Sequence, residues 1–278
     1  MQASQDNKLQ LDVDKVLRDK APKYYRYIPK CLINWLKSTV CQDELNGIMS
    51  RNYDKKNIDF ASAVIKDLNI KINYKGEENI PSEGRFIFVS NHPLGALDGV
   101  ALISYLGQRY NGKLRFIVND ILMNITPMAD IFLPINKHGK QSKEVVKKIA
   151  DALDSDYQIA SFPAGLCSRK LKGDKIGDLK WQKAFIMKSI ESKRDIIPVF
   201  FDGRNSDRFY RISKIRHRIG LKINIEMIYL PSEVFKSRNK EYTVYFGTPI
   251  SWKTFDNTKR PIWWARFVRE IAYGLKGK

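Results

Sequence analysis

Phe88-Val89-Ser90-Asn91-His92-Pro93-Leu94-Gly95-Ala96-Leu97-Asp98-Gly99 is the stretch on which the reading of the fold turns. The apolar run at 85–90 predicts a buried strand. Residues 91–95 turn the chain, and 97–106 carry a helical pattern. A histidine therefore stands at a strand end, and an aspartate follows in the first turn of the next helix. In an α/β sheet that is where ligands and chemistry gather. A carboxylate beside an imidazole fixes its tautomer and stabilises its protonated form. His92 can then take a proton from a hydroxyl or an amine, with Asp98 as its orienting partner. The plainer reading is a polar surface histidine followed by a helix-capping aspartate.

Outward from this stretch, strand patterns alternate with helical ones. Strands are predicted at 71–74, 114–118, 131–135, 157–162, 195–201, near 223–229 and at 242–246. Helices are predicted at 142–153 with Ser142 as cap, at 177–192 and at 261–275, and a short one within 119–130. The alternation predicts an α/β fold, a central mixed sheet flanked by helices, over residues 71–278. Residues 1–70 read as a basic amphipathic helical segment, polar up to residue 10 and then broken by Pro22 and Pro29. Within it Lys15, Arg18, Lys23, Arg26 and Lys30 interleave with Tyr24, Tyr25, Tyr27 and Trp35. That composition suits a helix among lipid head groups, and equally one packed on the main domain with its lysines in water. Residues 59–68 carry a plainer amphipathic, core-facing pattern.

Forty-nine Lys and Arg against 30 Asp and Glu give a net charge of +19, which calls for an anionic partner: nucleic acid, anionic lipid head groups or an anionic substrate. No zinc-finger, RNP-type or phosphate-loop signature appears, so nucleic acid has charge as its only support and is not expected as a partner. Cys31, Cys41 and Cys167 are odd in number without metal-like spacing, and read as reduced thiols of a cytosolic protein; no metal is expected. The polar start is not a secretory signal, and no run reaches the roughly 18 apolar residues that span a bilayer. A membrane would be met from its surface. The basic run 204–222, carrying Arg204, Arg208, Arg211, Lys214, Arg216 and Arg218, reads as membrane contact or as a clamp for a carrier's phosphates, against a plain solvated helix face.

Four stretches stand out together: Asn-His-Pro-Leu-Gly-Ala-Leu-Asp at 91–98, Ile-Phe-Leu-Pro-Ile-Asn-Lys at 131–137, Phe-Pro-Ala-Gly-Leu-Cys-Ser-Arg at 162–169 and Ile-Ile-Pro-Val at 196–199. In order and separation they resemble the four sequence blocks of the glycerolipid acyltransferase superfamily, of the lysophosphatidic-acid acyltransferase type. The resemblance covers residues 71–247, and its first and third blocks are the specific ones. It implies transfer of a fatty acyl chain from a thioester, acyl-CoA or acyl carrier protein, to a hydroxyl. The thioester is a co-substrate, and no cofactor is implied. His92 would be the general base and Asp98 its orienting carboxylate. Arg169, with backbone N–H groups near Gly165, would bind the acceptor's anionic group, and Lys137 would help hold a phosphate. Asn91, Gly95 and Ser168 join them as candidate substrate contacts, and Pro198 would shape the floor of the site. An acyl groove is expected beside the first block.

Three departures from the common pattern accompany the resemblance. Five residues rather than four separate His92 from Asp98, an insertion that Gly95 could absorb in the turn. Ala164 stands where the third block usually has Glu, and Asn136-Lys137 replaces an Arg in the second. These variants resemble a bacterial subgroup associated with lyso-ornithine, glycine-type and related aminoacyl lipids. The expected enzyme is thus a peripheral O-acyltransferase at the cytoplasmic face of the inner membrane, acting on a lysolipid. A 1-acylglycerol-3-phosphate acyltransferase and a non-catalytic lipid-binding module of the same fold stay open. Cys167 is weighed as a nucleophile and set aside, because no base is evident at its location. His138 and His217 read as surface residues.

Overall fold

The computed structural model describes residues 11–20, 22–135, 142–221 and 223–277. Asn136, Lys137 and His138 lie outside the described residues, as do residues 2–10 and Lys222. In chain order the helices α1 (Val13–Lys20), α2 (Pro22–Tyr25), α3 (Lys30–Thr39), α4 (Gln42–Arg51) and α5 (Asn57–Asp67) lead into β1 (Lys71–Lys75), β2 (Phe86–Ser90) and α6 (Leu97–Arg109). There follow β3 (Leu114–Asn119), β4 (Phe132–Ile135), α7 (Lys143–Asp154), β5 (Gln158–Ser161), β6 (Arg169–Lys170), β7 (Ile176–Gly177) and α8 (Ala184–Ser192). The chain closes with β8 (Asp195–Asp202), α9 (Asp207–Arg218), α10 (Leu230–Phe235), β9 (Glu241–Phe246) and α11 (Pro261–Gly274).

These elements form two compact units. One takes the chain up to Lys55 together with Ser206–Arg238; the other takes Lys56–Asn205 and Asn239–Lys278. The sequence reading set its boundary at residue 70, whereas this division falls at Lys55 and groups Ser206–Arg238 with the N-terminal helices. In that smaller unit Pro22 opens α2 and Pro29 precedes α3, positions where a missing N–H removes no helical bond. Asp14 ties α1 to its neighbours, accepting from Tyr25 Oη at 2.9 Å and pairing with Lys37.

The larger unit is built on a seven-stranded sheet of order β1-β9-β8-β2-β5-β3-β4. β2 lies between β8 and β5 and runs parallel to both, while β8 and β9 pair antiparallel, so the sheet is mixed as expected. All five residues of β2 are buried, which is why its sequence is a continuous apolar run rather than an alternating one. Ile87 and Val89 face a core that holds Trp181, Phe185, Ile186 and Val268. On the other face Phe88 meets Tyr110 just past α6, edge to face at 6.0 Å between centroids. The sheet is thus covered on both sides by helices.

Two predicted elements come out differently. The expected helix 177–192 begins only at Ala184; Gly177 instead closes a short antiparallel pair of β7 with β6, and 178–183 are irregular. The expected strand near 223–229 is a 3-10 turn, Ile225–Tyr229, running into α10. Its alternation misled because Glu226 is the fully buried member and forms an ion pair with Arg216 at 2.9 Å.

Candidate active site

The C-terminal ends of the parallel neighbours β2 and β5 bring the first and third sequence blocks together. β2 ends at Ser90, and the turn 91–96 delivers the chain to α6. Gly95 takes φ of 79°, a left-handed value that glycine adopts without a Cβ clash, and so accommodates the additional residue between His92 and Asp98. Asp98, in the first turn of α6, is fully buried. Its Oδ2 accepts from Leu94 N–H at 2.9 Å and Gly95 N–H at 3.3 Å, and lies 3.0 Å from His92 Nδ1. Oδ1 accepts from Gly99 N–H at 3.0 Å. An oxygen already receiving two amides is an acceptor, so Nδ1 of His92 is the N–H that donates to it. Nε2 is left with a lone pair. The His92 side chain is 14% exposed. Its flat face stacks on Phe162 of the third block, with centroids 3.8 Å apart and planes 18° apart.

The main chain of His92 is also held. Its carbonyl accepts from Ser168 N–H at 2.7 Å, and its N–H donates to Asp178 Oδ1 at 3.2 Å. Ser168 Oγ donates to the same oxygen at 2.6 Å, and Trp181 Nε1 donates to Asp178 Oδ2 at 2.8 Å. Sequence reasoning missed Asp178, Trp181 and the stacking role of Phe162. The Asp178–Trp181 spacing was the available signal, and it was absorbed into an expected helix.

The other sequence candidates are placed as follows. Asn91 is buried and bridges β2 to β8: its Nδ2 donates to Phe201 O at 2.9 Å and its Oδ1 accepts from Phe201 N–H at 2.6 Å. Ser168 is buried with its hydroxyl turned to Asp178. Gly165 is exposed in a tight turn at φ 66°, its N–H donating to Phe162 O at 2.9 Å. Arg169 is 5% exposed, and its Nη1 donates to Cys167 O at 2.9 Å and lies 2.7 Å from Cys167 Sγ. Cys167 is itself buried against that guanidinium. In this structure Asn91 thus ties β2 to β8, Ser168 ties the third block to Asp178, and Arg169 lies against Cys167. Pro198 pairs with Val89 inside β8 rather than at its end, and lies opposite Gly247, where β9 leaves the ladder. β4, the strand of the second block, is three strands from β2, about 14 Å across the sheet.

A cavity of about 470 Å³ adjoins the first block, lined by Asn91, Pro93 and Ser168 on one side and by Asp202, Arg204 and Tyr273 on another. Its wall mixes charges with aromatic rings, so it is not the apolar acyl groove expected there. No group of His, Cys, Asp and Glu that could hold a metal occurs among the described residues. No helix among them is long and apolar enough to cross a membrane.

A family model described as acyltransferase matches residues 15–278. A lyso-glycine lipid O-acyltransferase of Bacteroides thetaiotaomicron is 50% identical over 270 residues, 97% of this chain and 99% of that protein. One of the same name from Phocaeicola vulgatus is 48% identical over 265 residues, 95% of each chain. Among solved structures, the 1-acyl-sn-glycerophosphate acyltransferase of Thermotoga maritima aligns over 95% of this chain and 97% of its own, with a TM-score of 0.47 and 15% identity.

Proposed function

The chain belongs to the acyltransferase family, and from that premise we propose that it moves a fatty acyl group from a thioester to the hydroxyl of a lyso-aminoacyl lipid, a lyso-glycine lipid, with His92 as the base. The acceptor class follows from the two relatives of 50% and 48% identity, both named for lyso-glycine lipid. The observation that carries the mechanism is the Nδ1–Asp98 contact at 3.0 Å, which leaves Nε2 as the free acceptor. Nε2 takes the hydroxyl proton as the hydroxyl oxygen attacks the thioester carbonyl. The carbon–oxygen bond forms, the carbon–sulfur bond breaks, and the departing thiolate takes the proton back from the imidazolium. No covalent enzyme intermediate is needed. A positioned base of this kind is worth on the order of 10²–10⁴ in rate. The basic, aromatic-rich smaller unit supports a working place on an anionic membrane surface.

The test offers purified protein an acyl-CoA or an acyl carrier protein thioester with either a lyso-glycine lipid or lysophosphatidic acid, and reads products by mass spectrometry. Diacylated glycine lipid is the expected product, from one donor or the other. Phosphatidic acid as the sole product would replace the acceptor; vesicle binding without any thioester consumption would leave a lipid-binding module.

A further inference from the structure

Asp178 is a carboxylate that solvent scarcely reaches. The residue is 2% exposed, and both oxygens are turned inward, Oδ1 to His92 N–H and Ser168 Oγ and Oδ2 to Trp181 Nε1. Its main chain is clamped as well: its N–H donates to Tyr273 Oη at 2.8 Å, and Arg269 Nη2 donates to its carbonyl at 3.2 Å. Burying a carboxylate is costly unless its acceptor sites are filled, and an apolar group packs such a space at lower cost. Burial pushes this carboxyl up from the ordinary range, against the stabilising bonds from Ser168, Trp181 and the His92 amide. Mere filling of space does not account for a carboxyl group here.

We propose that Asp178 is a positioning residue for the transfer reaction, locking the backbone of His92 to the third sequence block so that the imidazole meets the acceptor hydroxyl in one orientation. The inference rests on the reading of His92 as the base. Its geometry is a closed ring of three hydrogen bonds. Ser168 N–H donates to the carbonyl of His92 at 2.7 Å, His92 N–H donates to Asp178, and Ser168 Oγ donates to the same carboxylate oxygen. Both polar main-chain atoms of His92 are thereby fixed, which sets the direction of its Cα–Cβ bond. Asp98 then fixes the ring by its edge and Phe162 by its face. A displacement of about 1 Å in a reacting group costs on the order of 10²-fold in rate, so this backbone clamp is as necessary as the ring contacts.

The experiment is steady-state kinetics of the full chain, with acyl thioester and lysolipid acceptor, for Asp178→Ala, Asp178→Asn, Ser168→Ala and His92→Ala, each normalised to folded protein by circular dichroism. Asp178→Ala is expected to lose about 100-fold in kcat with acceptor KM within about threefold of the starting protein. Asp178→Asn keeps an oxygen that accepts from His92 N–H and Ser168 Oγ and gives up only the bond from Trp181 Nε1; it should regain about tenfold of that loss. Ser168→Ala should lose about tenfold. Should Asp178→Ala not fold, the other two substitutions carry the test. If Asp178 variants match the starting protein while His92→Ala is inactive, the inference fails alone. The same holds if Asp178→Asn regains none of the activity lost in Asp178→Ala, or if the loss falls on acceptor KM rather than kcat. If His92→Ala still transfers acyl groups, the base reading fails and the inference falls with it.

Discussion

The proposed role of His92 as base requires a lone pair on Nε2, and the 3.0 Å contact with Asp98 is what assigns the proton to Nδ1. The NH₂ of an amide at position 98 would meet either Gly99 N–H or the N–H groups of Leu94 and Gly95, donor against donor, which displaces the group that holds Nδ1. Asp98→Asn is therefore expected to lower kcat on the order of a thousandfold with the fold intact, measured by thioester consumption beside a circular dichroism spectrum. A second residue carries a pH signature in the smaller unit. Burial pushes the Glu233 carboxyl up, but Lys236 Nζ at 2.6 Å, Ser206 N–H at 2.6 Å and Ser206 Oγ at 2.7 Å together bring it below the ordinary range. A carboxyl lowered on folding contributes stability that is present above its unfolded value and lost as pH falls through the folded one. Glu233→Gln should thus flatten the stability–pH curve on the acid side of the unfolded glutamate value, about 4.3, in denaturant titrations.

At the scale of elements, α5 and α6 pack so closely that a Cβ on Gly107 would lie 2.4 Å from Ile58 Cγ1, near the base of a stiff branched side chain. Gly107→Ala is expected to destabilise the protein by about 1–3 kcal/mol, read as a lowered Tm. Arg194 shows the opposite device, a fully buried guanidinium closing the end of α7. It donates to Leu153 O at 2.9 Å, Tyr157 O at 2.6 Å and Ser155 O at 2.5 Å, and burial lowers its pKa to about 10. Arg194→Leu strands those carbonyls, at a cost on the order of 3 kcal/mol by denaturant titration. Much of this layer was legible in the sequence. The β2 strand, the turn and α6 follow from one apolar run, a glycine and a helical period, and Ser142 caps α7 by accepting from Val145 N–H as its position implies. Pairing order was not legible: nothing in 86–90 or 158–161 says that these strands are neighbours, yet that neighbourhood is what joins the two specific blocks. Asp178 was invisible for a related reason, because its key partner is a main-chain amide 86 positions earlier. Side-chain patterns carry no trace of such a bond.

For the whole molecule, a net charge of +19 and a smaller unit exposing Tyr24, Tyr27, Ile219 and Ile223 frame the proposal of work at an anionic membrane surface. Each basic residue near such a surface contributes about 1 kcal/mol, screened by salt. Binding to phosphatidylglycerol vesicles should weaken steeply with salt and be near absent on neutral phosphatidylcholine. Ile219→Asp combined with Ile223→Asp should reduce partitioning at least about tenfold without altering the fold. Equal binding to both vesicle types would remove the membrane from this account. Catalysis stands on a narrower footing, the imidazole at the end of β2. The most direct measurement is kcat/KM for acyl transfer to the proposed lyso-glycine lipid acceptor by the intact protein and by His92→Ala, both shown folded. The account predicts a loss of at least about 100-fold; a His92→Ala enzyme within about threefold of the intact one would contradict it.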